Sequence, residues 1–264
     1  MELTSLRTLV CPSCGAPIHH GDLNCEYCGA AVYAGQAAEV ITPALAQAQN
    51  LIPEMRRRIE ENPLDGDAYY QLGLALFTIK LYDQAEEAFA QAQRLSLGSA
   101  LVHYFAGLAM LYRSGDEILS IEEFRLNEMR KQFQLAAKLD PSIAVAGVYG
   151  QFMDALLERN HGDYAGAVDP LKAVIEQLPK FGLAWQVLAA CQFQTADYPA
   201  AIAAARQALE LSPWNADLAY LIGAAYGRLD NLDEMEAWAH RVAQIRGHPD
   251  AWEQVLTEFK GKIE

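Results

Sequence analysis

The sequence has few cations, few cysteines and no long apolar run. Of its 264 residues only 20 are Lys or Arg, against 34 Asp or Glu, so the formal charge is -14. An acidic chain of this kind is poorly suited to neutralising nucleic-acid phosphates. No stretch reaches the roughly 20 apolar residues that a membrane-spanning helix requires. Because 52% of the residues are hydrophobic, we expect a globular protein with a sizeable core instead.

The N-terminus lacks the features of a secretory signal. Residues Met1 to Thr4 provide neither a basic segment nor the start of a long apolar segment. We therefore expect a cytoplasmic location and no association with a membrane.

Motifs typical of enzymes are missing as well. The sequence contains no phosphate-binding glycine loop, no Gly-x-Ser-x-Gly and no paired metal-binding histidines. His103 and His161 stand apart from any Cys or carboxylate arranged for catalysis, and Cys191 lies among apolar residues, as a buried cysteine does. The sequence therefore predicts no catalytic residues and no organic cofactor.

Four of the five cysteines lie within the first thirty residues, in two Cys-x-x-Cys-Gly segments with ten residues between Cys14 and Cys25. Each segment can bring two thiolates to one metal ion, and four thiolates in a tetrahedron suit zinc. Four protein ligands leave no open position for substrate, which predicts a structural site. Two disulfides, a redox pair and an iron cluster are the alternatives. The predicted ligands are Cys11, Cys14, Cys25 and Cys28.

The two cysteine segments resemble a zinc ribbon of the short bacterial type, over roughly Leu9 to Tyr33. The resemblance implies one structural zinc ion per chain, held by a module that spans residues 1–35. His19 and His20 lie between the segments, and we expect them to be solvated rather than bound to the metal.

From about Gly66 onward the sequence repeats with a period of 34 residues. Tyr164, Tyr198 and Leu232 are spaced by this interval, and Gly73 precedes Gly107 by the same number. Small and aromatic residues at fixed places in a period of this length resemble the tetratricopeptide repeat, a helix-turn-helix unit. The resemblance implies an all-α fold, an α-solenoid in which helix pairs stack into a right-handed superhelix.

We divide the chain into four parts on this basis. The zinc ribbon is followed by a linking helical segment over residues 36–65, in which Pro53 predicts a kink or two short helices. Five repeat units span residues 66–249, at about 66–99, 100–143, 148–181, 182–215 and 216–249, and the second carries an insertion near 114–125. Residues 250–264 are predicted to form a C-terminal capping helix with one apolar stripe.

The resemblance also implies a binding surface, because the first helix of each pair lines a concave groove in this family. Helical phase places mostly aromatic and aliphatic residues there, rather than the Lys, Arg and Asn that clamp a C-terminal carboxylate. We therefore expect the groove to bind an apolar or amphipathic peptide or helix. A groove filled by the chain itself and a contact between identical chains are the alternatives. The predicted partner-binding residues are Tyr70, Leu74, Phe77, Leu101, Tyr104, Leu108, Leu111, Tyr149, Phe152, Leu156, Phe193 and Tyr220.

Taken together, these features favour a non-catalytic adaptor that binds a protein partner and carries a structural zinc ribbon. The second hypothesis is a component of a transcription or translation assembly that contacts a protein through the ribbon. Direct contact with nucleic acid is disfavoured, because no Lys or Arg occurs between Thr8 and Met55.

Overall fold

The computed structural model describes residues 34–95 and 99–261, and the regular elements in these two ranges are helices. None of the described helices combines the length and the apolar composition needed to cross a lipid bilayer. The α-helices are α1 Ala34–Glu61, α2 Gly66–Thr78, α3 Tyr82–Leu95, α4 Ala100–Ser114, α5 Glu123–Leu139, α6 Ala144–Asn160, α7 Tyr164–Gln177, α8 Gly182–Gln194, α9 Tyr198–Leu211, α10 Ala216–Arg228, α11 Leu232–Ile245 and α12 Trp252–Gly261. Two 3₁₀ helices, Gly115–Ser120 and Pro249–Ala251, precede α5 and α12.

The chain divides into two compact units within helix α6. Unit 1 extends to Asp154 and unit 2 begins at Ala155. In unit 1, α2 packs against α3 and α4 against α5, whereas in unit 2 the corresponding pairs are α8 with α9 and α10 with α11.

Side-chain caps define where the second helix of a pair begins. Asp163, Asp197 and Asn231 recur at the repeat period, and each accepts a hydrogen bond from a backbone N–H in the first turn of the helix that follows. Such a bond satisfies one of the N–H groups that lack a partner at a helix start, and it contributes about 1 kcal/mol. The repeat period therefore fixes helix starts as well as apolar positions.

The turns between paired helices depend on a left-handed residue at one repeat position. Gly162, Ala196 and Asp230 also recur at the repeat period and have φ values of 84°, 61° and 56°. Lys80 adopts φ 62° at the same place in the first pair. This conformation is unfavourable by roughly 1 kcal/mol or more for a residue other than glycine. The packing of the two helices must therefore impose the turn geometry.

In the helix pairs of unit 1, an aromatic ring of the second helix packs against a glycine of the first helix. In unit 1 a Cβ added to Gly73 would lie 2.6 Å from Phe89, and one added to Gly107 would lie 2.8 Å from Phe133. Both rings are fully buried. The absent glycine side chain thus allows the helices of each pair to approach closely around one aromatic ring.

In the last helix pair of unit 2, the aromatic ring over the glycine comes from a different helix. At the position of α11 that corresponds to Phe89 in the first pair, the last pair carries Ala239. The ring of Phe259 from α12 lies over Gly223 instead, close enough to overlap an added Cβ, and it is fully buried beside Tyr220. The C-terminal helix therefore supplies a side chain that the last pair lacks.

Helix α1 differs from the sequence-based expectation. It continues through Pro53, where we expected a kink or two short helices, so the alternative of two short helices is wrong. A proline costs about 3 kcal/mol in a helix interior, but the burial of Ala48, Leu51 and Met55 and the packing of α1 on α2 offset this cost.

Candidate partner-binding surfaces

Most of the residues predicted to line a groove in unit 1 are buried. Leu74, Phe77, Tyr104, Leu108, Leu111, Tyr149 and Phe152 are each at most 5% exposed. Tyr70 is half-buried and Leu101 is 43% exposed. These seven side chains belong to the packed interior and are not exposed to a ligand in this structure.

Contacts between successive first helices explain this burial. The ring centroid of Phe77 on α2 lies 5.9 Å from that of Phe105 and 5.7 Å from that of Tyr112, both on α4. The Tyr104 ring lies 6.3 Å from the Tyr149 ring on α6. Edge-to-face and tilted contacts at these separations are favourable aromatic pairs. Helical phase indicates which side chains share a face, but it does not indicate what covers that face.

In unit 2 the three predicted lining residues have different surroundings. Leu156 is fully buried, whereas Phe193 and Tyr220 are half-buried. Phe193 makes an edge-to-face contact with Tyr198 at 5.4 Å. Desolvation by burial raises the pKa of Tyr220. Two of the three side chains thus keep partial access to solvent.

An ion cluster organises the surface around the insertion of unit 1. Arg113 Nε lies 2.6 Å from Asp83 Oδ1, and Arg113 Nη1 donates to Glu86 Oε2 at 2.8 Å. Arg125 Nη2 donates to the same Glu86 oxygen at 3.3 Å. The hydrogen bond to Glu86 is the main cause of the raised pKa of Arg113. This cluster ties the insertion and α5 to α3 and α4.

Two shallow cavities of about 200 Å³ each lie on either side of Arg113. Residues 80–84 line one cavity together with Arg113, and residues of the 113–125 segment line the other. Leu81 at the first cavity is 42% exposed, and Phe124, close to the second in sequence, is 71% exposed. This part of the surface therefore places exposed apolar side chains next to paired charges.

The half-buried histidine of unit 1 is engaged in a polar cluster. Gln132 Nε2 donates to Glu128 Oε1 at 2.8 Å, which orients the Gln132 amide. Its Oε1 therefore accepts from Gln93 Nε2 at 2.8 Å and from His103 Nδ1 at 2.7 Å. The cluster therefore joins α3, α4 and α5 through side-chain hydrogen bonds that satisfy partly buried polar groups.

The four cysteines predicted to bind zinc lie outside the described residues. Within the residues that the structure describes, no group of three or more His, Cys, Asp or Glu is arranged to hold a metal ion. Cys191 is fully buried on α8, and desolvation raises its pKa to about 11. At neutral pH this thiol is protonated and inaccessible, which excludes it as a nucleophile.

Comparison with known proteins agrees with this architecture. A model of the tetratricopeptide repeat matches residues 66–97. Similar solved structures include PilW, a widely conserved type IV pilus biogenesis factor, with 17% identity, coverage of 84% of this chain and 92% of that chain, and a TM-score of 0.54. PilF of Pseudomonas aeruginosa has 13% identity, coverage of 81% of this chain and 90% of that chain, and a TM-score of 0.55.

Part of a longer chain is also similar. That chain belongs to the structure of the APC/C hetero-tetramer Cut9–Hcn1, with an identity of 17%, coverage of 84% of this chain and 42% of that chain, and a TM-score of 0.55. No curated protein matches this chain in sequence. The fold is that of a tetratricopeptide-repeat protein. The all-α tetratricopeptide resemblance found in the sequence is thus confirmed for the fold.

Sequence reasoning missed the charged groups around the insertion. Arg113, Arg125 and Glu86 come from three helices, and their meeting depends on tertiary packing. The sequence did contain one indication of an exposed apolar side chain here. Phe124 is an aromatic residue in a polar insertion and directly follows Glu123. Such a side chain has no place in the helix-pair core and therefore stays on the surface.

Proposed function

We propose that the protein is a non-catalytic scaffold whose helix pairs hold a protein or peptide partner. The observation that carries the proposal is the tetratricopeptide fold, with a repeat of this family at residues 66–97. In the similar Cut9–Hcn1 structure this fold occurs in an assembly with a second protein.

The residues that contact the partner are those predicted lining residues that retain access to solvent. They are Tyr70 and Leu101 in unit 1 and Phe193 and Tyr220 in unit 2. Their aromatic and aliphatic character favours an apolar or amphipathic segment as the ligand.

A pair of equally exposed leucines tests this assignment. Leu101 is 43% exposed and belongs to the predicted binding set, whereas Leu139 is 46% exposed and does not. We expect Leu101→Asp to abolish capture of a protein partner from the native host, and Leu139→Asp to preserve it. Buried positions such as Leu108 are unsuitable, because a carboxylate in the core unfolds the unit.

Circular dichroism must show unchanged helicity for both leucine variants. Capture that is identical for the wild type and both variants contradicts the assigned surface. Loss of capture only in Cys11→Ser/Cys14→Ser would place recognition in the N-terminal segment.

We also propose that Cys11, Cys14, Cys25 and Cys28 bind one structural zinc ion per chain. The support is the spacing of the two Cys-x-x-Cys-Gly segments. Elemental analysis of the purified protein is expected to give one zinc per chain, reduced in Cys11→Ser/Cys14→Ser. A metal-free protein whose four thiols are oxidised in pairs contradicts the proposal.

A further inference from the structure

A group of arginine and aromatic side chains forms a surface of unit 2 that the proposed function does not use. We call it the Arg–Trp patch and define it as Arg206, Trp214, Tyr226, Trp238 and Arg241. Arg206 is on α9, Tyr226 on α10, Trp238 and Arg241 are on α11, and Trp214 lies in the loop between α9 and α10. Trp214 is 73% exposed, and both arginines are exposed.

The patch is continuous because each arginine lies over an indole ring. The Arg206 guanidinium carbon is 5.9 Å from the centre of the Trp238 ring, and Arg206 Nη2 donates to the Tyr226 hydroxyl at 2.9 Å. The Arg241 guanidinium carbon is 5.9 Å from the centre of the Trp214 ring. Trp238 and Arg241 are three residues apart on α11, so they share one face of that helix.

Neither arginine of the patch has an acidic partner in the described part of the chain. Elsewhere arginines do pair, as Arg246 does with Glu258 at 3.3 Å. Glu210 lies one turn beyond Arg206 on the same helix, yet the Arg206 guanidinium reaches across to Tyr226 and Trp238. The formal charge of the chain is -14, so positive groups that are not neutralised by a carboxylate stand out against an acidic background.

We propose that the Arg–Trp patch binds an acidic segment of a partner protein through its carboxylates. A guanidinium within 6 Å of an indole centre is within the range of a cation–π contact, and its N–H groups can take a carboxylate in a bidentate pair. Arg241 has no hydrogen-bond acceptor among the described residues, so its N–H groups are available to a ligand. The exposed Trp214 ring adds an apolar contact beside the charge, as in the anchor residues of protein interfaces.

This inference extends the proposed scaffold function by adding a second surface with a stated partner chemistry. It uses none of the four residues assigned to the apolar ligand. The two proposals can therefore fail independently.

The test measures binding of a fluorescein-labelled octaglutamate peptide to the full-length protein by fluorescence anisotropy, with octaglutamine as the reference. We expect octaglutamate to bind at least tenfold tighter than octaglutamine at low salt, and less tightly as salt rises. Arg206→Gln/Arg241→Gln should weaken the binding at least tenfold. Trp214→Ala should weaken it severalfold without loss of helicity, since that side chain is mostly exposed.

The matched control removes the same charge from unit 1. Arg57 and Arg130 each form a surface ion pair, with Glu61 and Asp154 respectively, so Arg57→Gln/Arg130→Gln changes the net charge equally. This variant should retain wild-type affinity. Equal weakening by the two double variants, or equal binding of the two peptides, overturns the proposal.

Two further measurements separate the other outcomes. If octaglutamate does not bind but the wild type is a dimer that Arg206→Gln/Arg241→Gln converts to monomer, the occupant is a second copy and the proposal is wrong. Leu101→Asp should bind octaglutamate like the wild type. If octaglutamate fails to bind while capture still depends on Leu101, only the inference about the patch is refuted.

Discussion

The contact between Phe259 and Gly223 gives the sharpest prediction of stability. The Phe259 ring is fully buried against α10 and contacts Tyr220 with a centroid separation of 4.8 Å. Replacing a fully buried phenylalanine by alanine typically costs about 3–5 kcal/mol. We therefore expect Phe259→Ala to lower the stability of unit 2 by about this amount.

The complementary change at Gly223 should also destabilise, although alanine favours a helix. A Cβ at this position overlaps the Phe259 ring, and overpacking of this kind costs about 1–3 kcal/mol. The gain in helix propensity from glycine to alanine is about 1 kcal/mol and offsets part of that cost. In Gly223→Ala/Phe259→Ala the ring is absent, so the added methyl group fits. The double variant should therefore be less destabilised than the sum of the single variants, by about 1–3 kcal/mol.

Hydrogen exchange followed by mass spectrometry over α10 and α12 measures the relevant opening free energy, because it reports each segment separately. Gly147→Ala is a suitable control, since its added Cβ would meet nothing within 4 Å on α6. It should stabilise by up to about 1 kcal/mol. If the changes in the free energy of unfolding caused by Gly223→Ala and Phe259→Ala are additive, the Phe259 ring does not pack against Gly223.

Three other predictions follow from single positions. Hydrogen bonds from the Ala68 N–H and from Arg58 lower the pKa of Asp65 in the folded state. The ionised Asp65 carboxylate therefore stabilises the folded state. This stabilisation is present above the unfolded pKa of about 3.9 and is lost as the pH falls through the folded pKa. Acid titration of the free energy of unfolding should therefore show a loss in the wild type that is smaller in Asp65→Asn, which retains the cap. Ala196→Gly should raise the midpoint of urea unfolding, with a gain of about 1 kcal/mol, because Ala196 has φ 61°; a lower midpoint would contradict this. Cys191 should react with iodoacetamide at about pH 8 only after unfolding, since burial raises its pKa to about 11. A label found on Cys191 by mass spectrometry of the native protein would refute this prediction.

The repeat period predicted much of the fold. Tyr164, Tyr198 and Leu232, which recur at that period in the sequence, are the first residues of α7, α9 and α11. This success has a local cause, because the capping residue just before each of them is repeated with the same period. Local chemistry and repeat phase therefore determine where these helices begin.

Packing partners were not predictable in the same way. Pro53 indicated a helix break by propensity, but burial of neighbouring apolar residues maintains α1. Leu108 and Phe152 were predicted to line the groove, whereas both are fully buried. Which element covers a face depends on the separation and orientation of helices, and a helical period contains no information on either.

The candidate surfaces show the same limit. Arg206 and Trp238 are distant in the sequence and meet only because α9 and α11 both pack against α10. The sequence alone does not distinguish an arginine that pairs with a carboxylate from one that lies on an indole. The zinc site remains a prediction from cysteine spacing.

The way α12 completes the last helix pair has a consequence for self-association. In a stack of identical helix hairpins, the last hairpin exposes the apolar face through which neighbouring hairpins pack. Two molecules can associate through such faces and form open filaments. Phe259 and Val255 cover that face in unit 2, while Glu253, Gln254 and Lys260 on the other side of α12 are exposed. A further hairpin stacked there would have to bury charged groups without partners. We therefore expect α12 to disfavour end-to-end association of chains through this face.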